Sequence, residues 1–168
     1  ALFWLVIVVL TGIGLSEYYK MTGATPGSGY GVLFLITALL PVLAAYTGSA
    51  NGVMAGVFAG LLGLVFLVFR LYTRLENVLE TLTLSGFSIL YIAFCMAHIV
   101  LIRGLPDGSS LLFMLTAITA GSDTGAYYTG RAFGHRKLCP NISPGKTVAG
   151  VVGGVLSGVV AALIIASL

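Results

Sequence analysis

The residues best suited to chemistry in this chain lie between Gly121 and Gly154. One carboxylate, Asp123, follows an apolar run, and half of the chain's eight Lys and Arg residues come shortly after it: Arg131, Arg136, Lys137 and Lys146. Arginine offers a planar fork that binds phosphate through two hydrogen bonds, and lysine offers a mobile point charge. The cluster therefore predicts a site for a phosphate-bearing anion. The alternative is that these cations only orient the chain in a membrane.

The segment 143–147 also has the composition of an anion-binding turn. Ser143 suits the N-cap of a following helix and Pro144 suits its first turn, where exposed backbone amides attract phosphate. Lys146 adds a positive charge at the same place. The Gly-Lys-Thr end of this segment resembles a P-loop, but the full pattern needs an earlier glycine that this chain lacks. An NTPase P-loop is therefore excluded.

Composition places the chain in a membrane. Apolar residues make up 58% and charged residues only 8%, and the mean hydropathy is +1.09, whereas a soluble domain carries about 25% charged residues. The isoelectric point near 9.0 reflects loop cations that face anionic headgroups or substrates, so nucleic-acid binding is not expected. The two cysteines give neither a disulfide framework nor a metal-binding spacing.

Six apolar runs are long enough to cross a bilayer, whose hydrocarbon core needs roughly 20 helical residues. We therefore predict an all-α integral membrane protein with six transmembrane helices in one transmembrane domain over 1–168. The runs cover residues 1–16, 31–47, 51–69, 82–102, 109–128 and 147–168. Because the first and last runs stop at the ends of the chain, we expect the chain to be part of a longer protein.

The distribution of charges orients these spans. If six helices cross the membrane, the loops after the first, third and fifth hold seven of the eight basic residues, and the other side holds only Arg103. Basic loops favour the cytoplasmic side. Asp123 and the segment 129–147 are therefore predicted to be cytoplasmic, and we expect 129–147 to be a phosphate-binding loop.

Asp123 is the candidate catalytic carboxylate. An acid at a membrane boundary is costly unless it is paired or faces water. Its neighbours Ser122, Thr124 and Gly125 are small or polar and suit a hydrated pocket. A metal ion, or a nearby cation such as Arg131, would keep the carboxylate ionised. The alternative is that Asp123 only marks the end of the fifth span.

Two further patterns predict packing rather than chemistry. Residues 70–81 place apolar side chains at helical spacing, which predicts an amphipathic helix at the membrane surface. Two ladders of glycines four residues apart predict close helix packing, with a groove for a lipid tail as the alternative. The ladders are Gly52, Gly56 and Gly60, and Gly150, Gly154 and Gly158.

The ordered stretch from Asp123 to Thr147, continuing to Gly150 and Gly154, closely resembles phosphatidate cytidylyltransferases, the CDP-diacylglycerol synthases. It reads Asp-Thr-Gly-Ala-Tyr-Tyr-Thr-Gly-Arg-Ala-Phe-Gly-His-Arg-Lys-Leu-Cys-Pro-Asn-Ile-Ser-Pro-Gly-Lys-Thr. The patch Ser-Glu-Tyr-Tyr-Lys at 16–20 also resembles the acidic-aromatic patch that ends an early span in that family. The spans between these motifs are only generically similar.

The resemblance implies a membrane enzyme that transfers a cytidylyl group from CTP to phosphatidate, with a divalent metal, taken here as Mg²⁺. It implies that Asp123 is the catalytic and metal-binding acid. Lys146 is the second catalytic candidate, and the substrate-binding candidates are Arg131, Lys137, Ser143, Pro144, Thr147 and Gly150. The expected partners are CTP, phosphatidate and the lipids of a bacterial inner membrane, with a homodimer left open.

Two departures from the family pattern matter. Ala149 stands where the family usually has Glu or Gln, and the family's later aspartate-bearing signature and opening span are not in this sequence. Because Mg²⁺ sites commonly use one or two carboxylates together with phosphates, we expect this chain to hold only part of the site. The rival readings are an anion transporter or channel, a CTP-dependent lipid kinase and a structural membrane subunit.

Overall fold

The structure is a computed structural model that describes residues 1–23, 27–71 and 75–167. Helices make up nearly all of the described residues, as the apolar composition predicts. The chain divides into two units, Ala1–Pro106 and Asp107–Leu168. Every predicted site residue belongs to the second unit.

The first unit is a bundle of long apolar helices. A π-helical turn at Ile89–Ala93 joins the fourth helix to the fifth, so these two run on without a loop. A 3₁₀ turn, Ala45–Thr47, likewise extends the second helix. The helices are α1 (Leu2–Thr22), α2 (Gly27–Ala44), α3 (Ala50–Leu71), α4 (Leu75–Ser88) and α5 (Phe94–Arg103).

One face of each helix forms the core of this unit. Leu15 of α1, Phe34 of α2, Leu64 of α3 and Ile89 in the π-helical turn are almost completely buried. Many leucine, valine and phenylalanine side chains remain exposed on the outer surface of the helices. A soluble protein rarely leaves so much contiguous apolar surface uncovered, whereas lipid tails would cover it. The exposed surface therefore agrees with an integral membrane protein.

Glycines bring α2 and α3 into close contact. A Cβ atom at Gly56 would lie 2.7 Å from the carbonyl oxygen of Leu40 and 2.9 Å from the Cα atom of Pro41. A Cβ atom at Gly60 would lie 2.7 Å from the carbonyl oxygen of Thr37. Gly56 and Gly60 of the ladder therefore pack directly against the backbone of α2, as predicted, whereas Gly52 faces the side chains of Thr47 and Ser49.

The acidic-aromatic patch at the end of α1 ties that helix to α4. The hydroxyl of Tyr18 donates to the carbonyl oxygen of Leu84 at 2.9 Å, and the hydroxyl of Tyr19 shares a hydrogen bond of 3.1 Å with that of Ser88. The third polar contact, between Lys20 and Glu17, stays within α1 on the exposed surface. The patch therefore positions helices within the first unit.

The second unit is a pair of long helices joined by a β-hairpin. The two strands are antiparallel, with Lys137 opposite Thr147, Cys139 opposite Ser143 and an irregularity between the two pairs. The all-helical prediction missed this hairpin because its strands are short and lack the apolar alternation that marks a strand. The elements are α6 (Gly108–Phe133), β1 (Lys137–Cys139), β2 (Ser143–Thr147) and α7 (Val148–Ala166).

Five helices in the described part of the chain are long and apolar enough to cross a membrane. They are Leu2–Thr22, Tyr30–Thr47, Ala50–Leu71, Val78–Arg103 and Val148–Ala166, and each matches a predicted span. The predicted fifth span forms α6, a helix of 26 residues, but its polar residues keep it outside this group. The all-α membrane class is confirmed, while the sixth crossing and the orientation of the loops stay predictions.

The predicted surface helix 70–81 lies partly outside the described residues, which omit 72–74 and with them Arg74. Of the rest, Leu71 ends α3, and α4 begins at Leu75. Residues 75–81 of the predicted surface helix are helical, as expected. They belong to the same continuous helix as the candidate span Val78–Arg103, so they do not form a separate surface element.

We expect Gly56→Ala to destabilise the first unit by about 1–3 kcal/mol, because the new methyl group must displace the backbone of α2. Gly12→Ala is the matched control, since a Cβ atom at Gly12 meets nothing within 4 Å and alanine favours a helix. Thermal unfolding in detergent measures both variants. Equal melting temperatures would contradict the close contact of α2 with α3.

Candidate functional site

A cavity of about 690 Å³ lies in the second unit, between the C-terminal part of α6, the hairpin and the start of α7. Most of the predicted site residues line it, together with three further glycines, Gly130, Gly134 and Gly145. The predicted residues on its wall are Asp123, Arg131, Lys137, Lys146, Thr147 and Gly150. The fold therefore gathers residues between Asp123 and Gly150, which are 27 positions apart in the sequence.

One face of α6 supplies an acid, an aromatic ring and a cation to this cavity. Asp123, Tyr127 and Arg131 are spaced four residues apart, and residues at that spacing share a helix face. Nη1 of Arg131 donates to the hydroxyl oxygen of Tyr127 at 3.1 Å. The guanidinium group is thus held beside Tyr127, and it does not pair with Asp123, two turns earlier in the helix.

The hairpin adds two cations to the same cavity. Lys137 of β1 pairs opposite Thr147 of β2, so Lys137 and Lys146 come close in space although nine positions separate them in the chain. The amide of Val148 donates to the carbonyl oxygen of Arg136 at 3.0 Å and continues the pairing to the start of α7. Strand pairing therefore places both lysines where an anion in the cavity would meet them.

The N-cap of α7 is Thr147. Its backbone is extended (φ −125°, ψ 155°), and its hydroxyl oxygen accepts a hydrogen bond of 3.1 Å from the amide of Gly150. The prediction that Ser143 caps this helix and that Pro144 occupies its first turn was wrong, because strand pairing keeps 143–147 extended as far as Thr147. Neither Ser143 nor Pro144 lines the cavity.

The N-terminal end of α7 faces the cavity. Thr147, Gly150 and Val151 are part of the cavity wall. The helix dipole places a partial positive charge at this end, although the amides of Val148 and Gly150 already donate to the carbonyl oxygen of Arg136 and the hydroxyl of Thr147. A phosphate group in the cavity would therefore meet this partial charge as well as the cationic side chains.

Glycines allow α6 and α7 to pack with their backbones almost in contact. A Cβ atom at Gly125 would collide with the hydroxyl of Ser157, and one at Gly150 would lie 2.9 Å from the carbonyl oxygen of Ala126. Further along the ladder, a Cβ atom at Gly154 would lie 3.1 Å from a backbone oxygen of α6. The second glycine ladder therefore packs helices together, as predicted.

A hydrogen bond between the helices reinforces this packing. The hydroxyl of Thr129 donates to the carbonyl oxygen of Gly125 at 2.7 Å and to that of Ala149, in α7, at 3.1 Å. Ala149 is the position at which the family resemblance suggested a Glu or Gln side chain. In this chain the backbone of Ala149 provides a polar contact, which joins the two helices.

Asp123 is the acidic residue of the cavity wall, and its side chain is exposed. The described residues contain no group of three or more His, Cys, Asp or Glu side chains that could hold a metal ion together. Mg²⁺ often takes one or two protein carboxylates and completes its shell with water and substrate phosphates. Asp123 therefore fits the role of one Mg²⁺ ligand beside bound phosphates.

Tyr127 is a cavity residue that sequence reasoning missed. The segment 129–147 was predicted as a loop, but α6 continues to Phe133, so its first residues are the last turn of a helix. Extending the helical spacing from Asp123 through Tyr127 to Arg131 would have found this residue. The predicted fifth span ended at 128 because the apolar run ends there.

Taken together, the apolar helices and the cavity define a helical membrane protein with a cavity lined by basic residues and one carboxylate. The model of the cytidylyltransferase family matches residues 1–168, and the chain belongs to that family. The resemblance seen in the sequence is thereby confirmed. No solved structure matches the chain.

Named relatives point the same way. The phosphatidate cytidylyltransferase of Bacillus subtilis (strain 168) is 32% identical over 156 residues, which cover 88% of this chain and 56% of that protein. That of Pseudomonas aeruginosa is 38% identical over 66 residues, 39% of this chain and 24% of the relative. That of Haemophilus influenzae is 49% identical over 45 residues, 27% of this chain and 16% of the relative. The chain spans about half the length of the Bacillus protein.

We expect Thr147→Val to destabilise the second unit by about 1 kcal/mol, because the amide of Gly150 loses its acceptor at the start of α7. Thr147→Ser keeps the hydroxyl and should retain most of the stability. Thermal unfolding in detergent compares the two variants, which differ in the capping oxygen. If both melt at the same temperature, the hydroxyl of Thr147 does not stabilise the helix.

Proposed function

We propose that the protein transfers a cytidylyl group from CTP to phosphatidate, giving CDP-diacylglycerol and pyrophosphate in phospholipid biosynthesis. The main support for this proposal is the composition of the cavity. Its lining includes Asp123, the cations Arg131, Lys137 and Lys146, and the N-terminal end of α7. Membership of the cytidylyltransferase family supports the reaction type. The names of the relatives support phosphatidate as the acceptor.

The proposed reaction is a nucleotidyl transfer between two anions. An oxygen of the phosphatidate phosphate attacks the α-phosphorus of CTP, the bond from that phosphorus to the bridging oxygen of the β-phosphate breaks, and pyrophosphate leaves in line. Such a step needs positioning and neutralisation of charge more than a strong base. Cations aimed at the phosphates are therefore the main contribution that a protein can make.

We assign the cavity residues to these tasks by their positions. Arg131 and Lys137 would hold substrate phosphates, Lys146 would stabilise the charge that builds up on the leaving pyrophosphate, and Thr147 with Gly150 would present the helix N-terminus. The predicted substrate contacts of Ser143 and Pro144 stay predictions, since neither residue lines the cavity. In the described structure these two residues help form the strand that carries Lys146.

Asp123 would hold the divalent metal, which we take to be Mg²⁺. Bound there, the metal would neutralise phosphate charge and so reduce the repulsion between the two substrates. The exposed position of Asp123 beside the cations suits this role. Because the cavity wall offers a single carboxylate, we propose that this chain carries only part of the metal site.

We also propose that the cavity opens to the cytoplasm at the inner membrane of a bacterial cell. The bias of basic residues to one side of the spans supports this orientation, and CTP is available on that side. A homodimer stays a prediction.

Membranes from cells that express the gene should release pyrophosphate when CTP and phosphatidate are both present. Asp123→Asn should lower this rate by about 100-fold or more, because the isosteric amide cannot neutralise a metal ion. Production of CDP instead of pyrophosphate would indicate a lipid kinase. Anion flux in liposomes without pyrophosphate release would indicate a transporter, and an unchanged rate for Asp123→Asn would refute its catalytic role.

The purified chain 1–168 should bind CTP in the presence of Mg²⁺ without releasing pyrophosphate. Replacing Arg131, Lys137 or Lys146 by Gln should each weaken binding about tenfold, the size expected for one lost hydrogen bond to a charged group. Arg103→Gln is the control, since it removes the same charge from the first unit. Titration calorimetry measures the affinity. Robust turnover by 1–168 would show that it holds the whole site, and equal losses in all four variants would argue against the cavity.

A further inference from the structure

The hairpin carries an apolar surface that the cavity does not use. We define the hairpin tip as Leu138, Pro140 and Ile142. Ile142 is 87% exposed and Leu138 45%, and none of the three side chains belongs to the wall of the cavity. Single exposed apolar residues are common on proteins, but here several lie together on one short element.

The geometry of the hairpin separates this surface from the cavity. Lys137 lines the cavity, whereas its neighbour Leu138, at the irregularity between the two strand pairs, does not. The amide of Ile142 donates to the carbonyl oxygen of Cys139 at 3.1 Å and closes a turn that includes Pro140. The turn therefore brings Pro140 and Ile142 to the free end of the hairpin.

Charge around the hairpin tip is entirely positive. The sequence after Asp123 contains no Asp or Glu, whereas Arg136, Lys137 and Lys146 lie on or beside the hairpin. Apolar side chains bordered by Lys and Arg are typical of elements that lie in the interface of an anionic membrane. The hairpin tip thus has the chemistry of a lipid-binding element.

The position of the hairpin matches that chemistry. β2 leads directly into α7, which begins at Val148 and is apolar enough to cross a membrane. The hairpin therefore starts at the boundary between water and lipid. Apolar side chains at that depth reach the upper part of the acyl chains, while neighbouring cations reach the headgroups.

We propose that the hairpin tip inserts into the anionic headgroup layer of the membrane that α7 spans. The partner is the surface of anionic lipid, recognised by Ile142 and Leu138 through apolar contact and by Arg136 through charge. In this arrangement Leu138 and Ile142 contact lipid, while Lys137 lines the cavity. This inference does not depend on the reaction proposed above.

A fluorescent label on Ile142→Cys tests the insertion. The background is the chain 1–168 with Cys95→Ser and Cys139→Ser, both of which replace exposed cysteines. The labelled protein is reconstituted in phosphatidylcholine vesicles with and without phosphatidylglycerol. We expect a blue-shifted emission and strong quenching by lipid-attached doxyl groups, both larger with phosphatidylglycerol. A second label at Leu138→Cys should behave in the same way.

Gly145→Cys provides the matched control label. A Cβ atom at Gly145 meets nothing within 4 Å and lies on the cavity wall, so this label should stay accessible to aqueous iodide in both lipids. Arg136→Gln should lower the partition of the Ile142 label into phosphatidylglycerol vesicles about fivefold, the effect expected for one cation at an anionic surface. Thermal unfolding of the labelled variants confirms that they are folded.

Two results would overturn the proposal. One is an Ile142 label as accessible to iodide as the Gly145 label in both kinds of vesicle, which would leave the hairpin tip in water. The other is an Ile142 label that is shielded from iodide in detergent, without lipid, and more strongly at higher protein concentration. That result would show that the hairpin tip contacts another copy of the chain. Neither result bears on whether CTP binds in the cavity.

Discussion

The close approach of α6 to α7 is the constraint on which the site depends. Gly125 and Gly150 lack the Cβ atoms that would otherwise strike the facing helix, and Thr129 bonds across to the carbonyl oxygen of Ala149. With no hydrophobic force between helices in lipid, such small-residue packing and interhelical hydrogen bonds hold them together. Because the cavity is bounded by one face of α6 and the start of α7, any separation of these helices would move Asp123 away from the N-terminal end of α7.

The hairpin follows from the same constraint. Two antiparallel helices in contact leave the chain little space in which to reverse, and the reversal begins at Gly134, where a Cβ atom would strike the carbonyl oxygen of Gly130 and lie 2.7 Å from the methyl group of Thr147. The connecting residues then pair as β1 and β2, which satisfies backbone groups that would otherwise lie unpaired near the membrane. Pairing, in turn, brings the segments that carry Lys137 and Lys146 together, and both lysines line the cavity.

Local patterns in the sequence predicted the parts of this structure that local physics decides. Hydropathy located the helices of the first unit and α7, and the cations after Asp123 indicated where an anion would bind. Two of the errors fall in the segment between α6 and α7, where hydropathy carries little information. Ser143 has the composition of an N-cap, but pairing with Cys139 holds it in a strand, and the role passes to Thr147. The segment 129–147 was predicted as a loop, although α6 continues to Phe133.

The balance of charge in the cavity explains why an anionic ligand belongs there. The positive charges of Arg131, Lys137 and Lys146 repel one another. Asp123 supplies the one carboxylate on the cavity wall that offsets this repulsion, because Tyr127 offers Arg131 only a neutral oxygen. A ligand with several phosphates would reverse the sign of this imbalance, and Asp123 would then face negative charge. In the reaction proposed above, a divalent cation between the carboxylate and the phosphates would remove that conflict. The proposed metal ion would therefore let the carboxylate of Asp123 and two anionic substrates share one cavity.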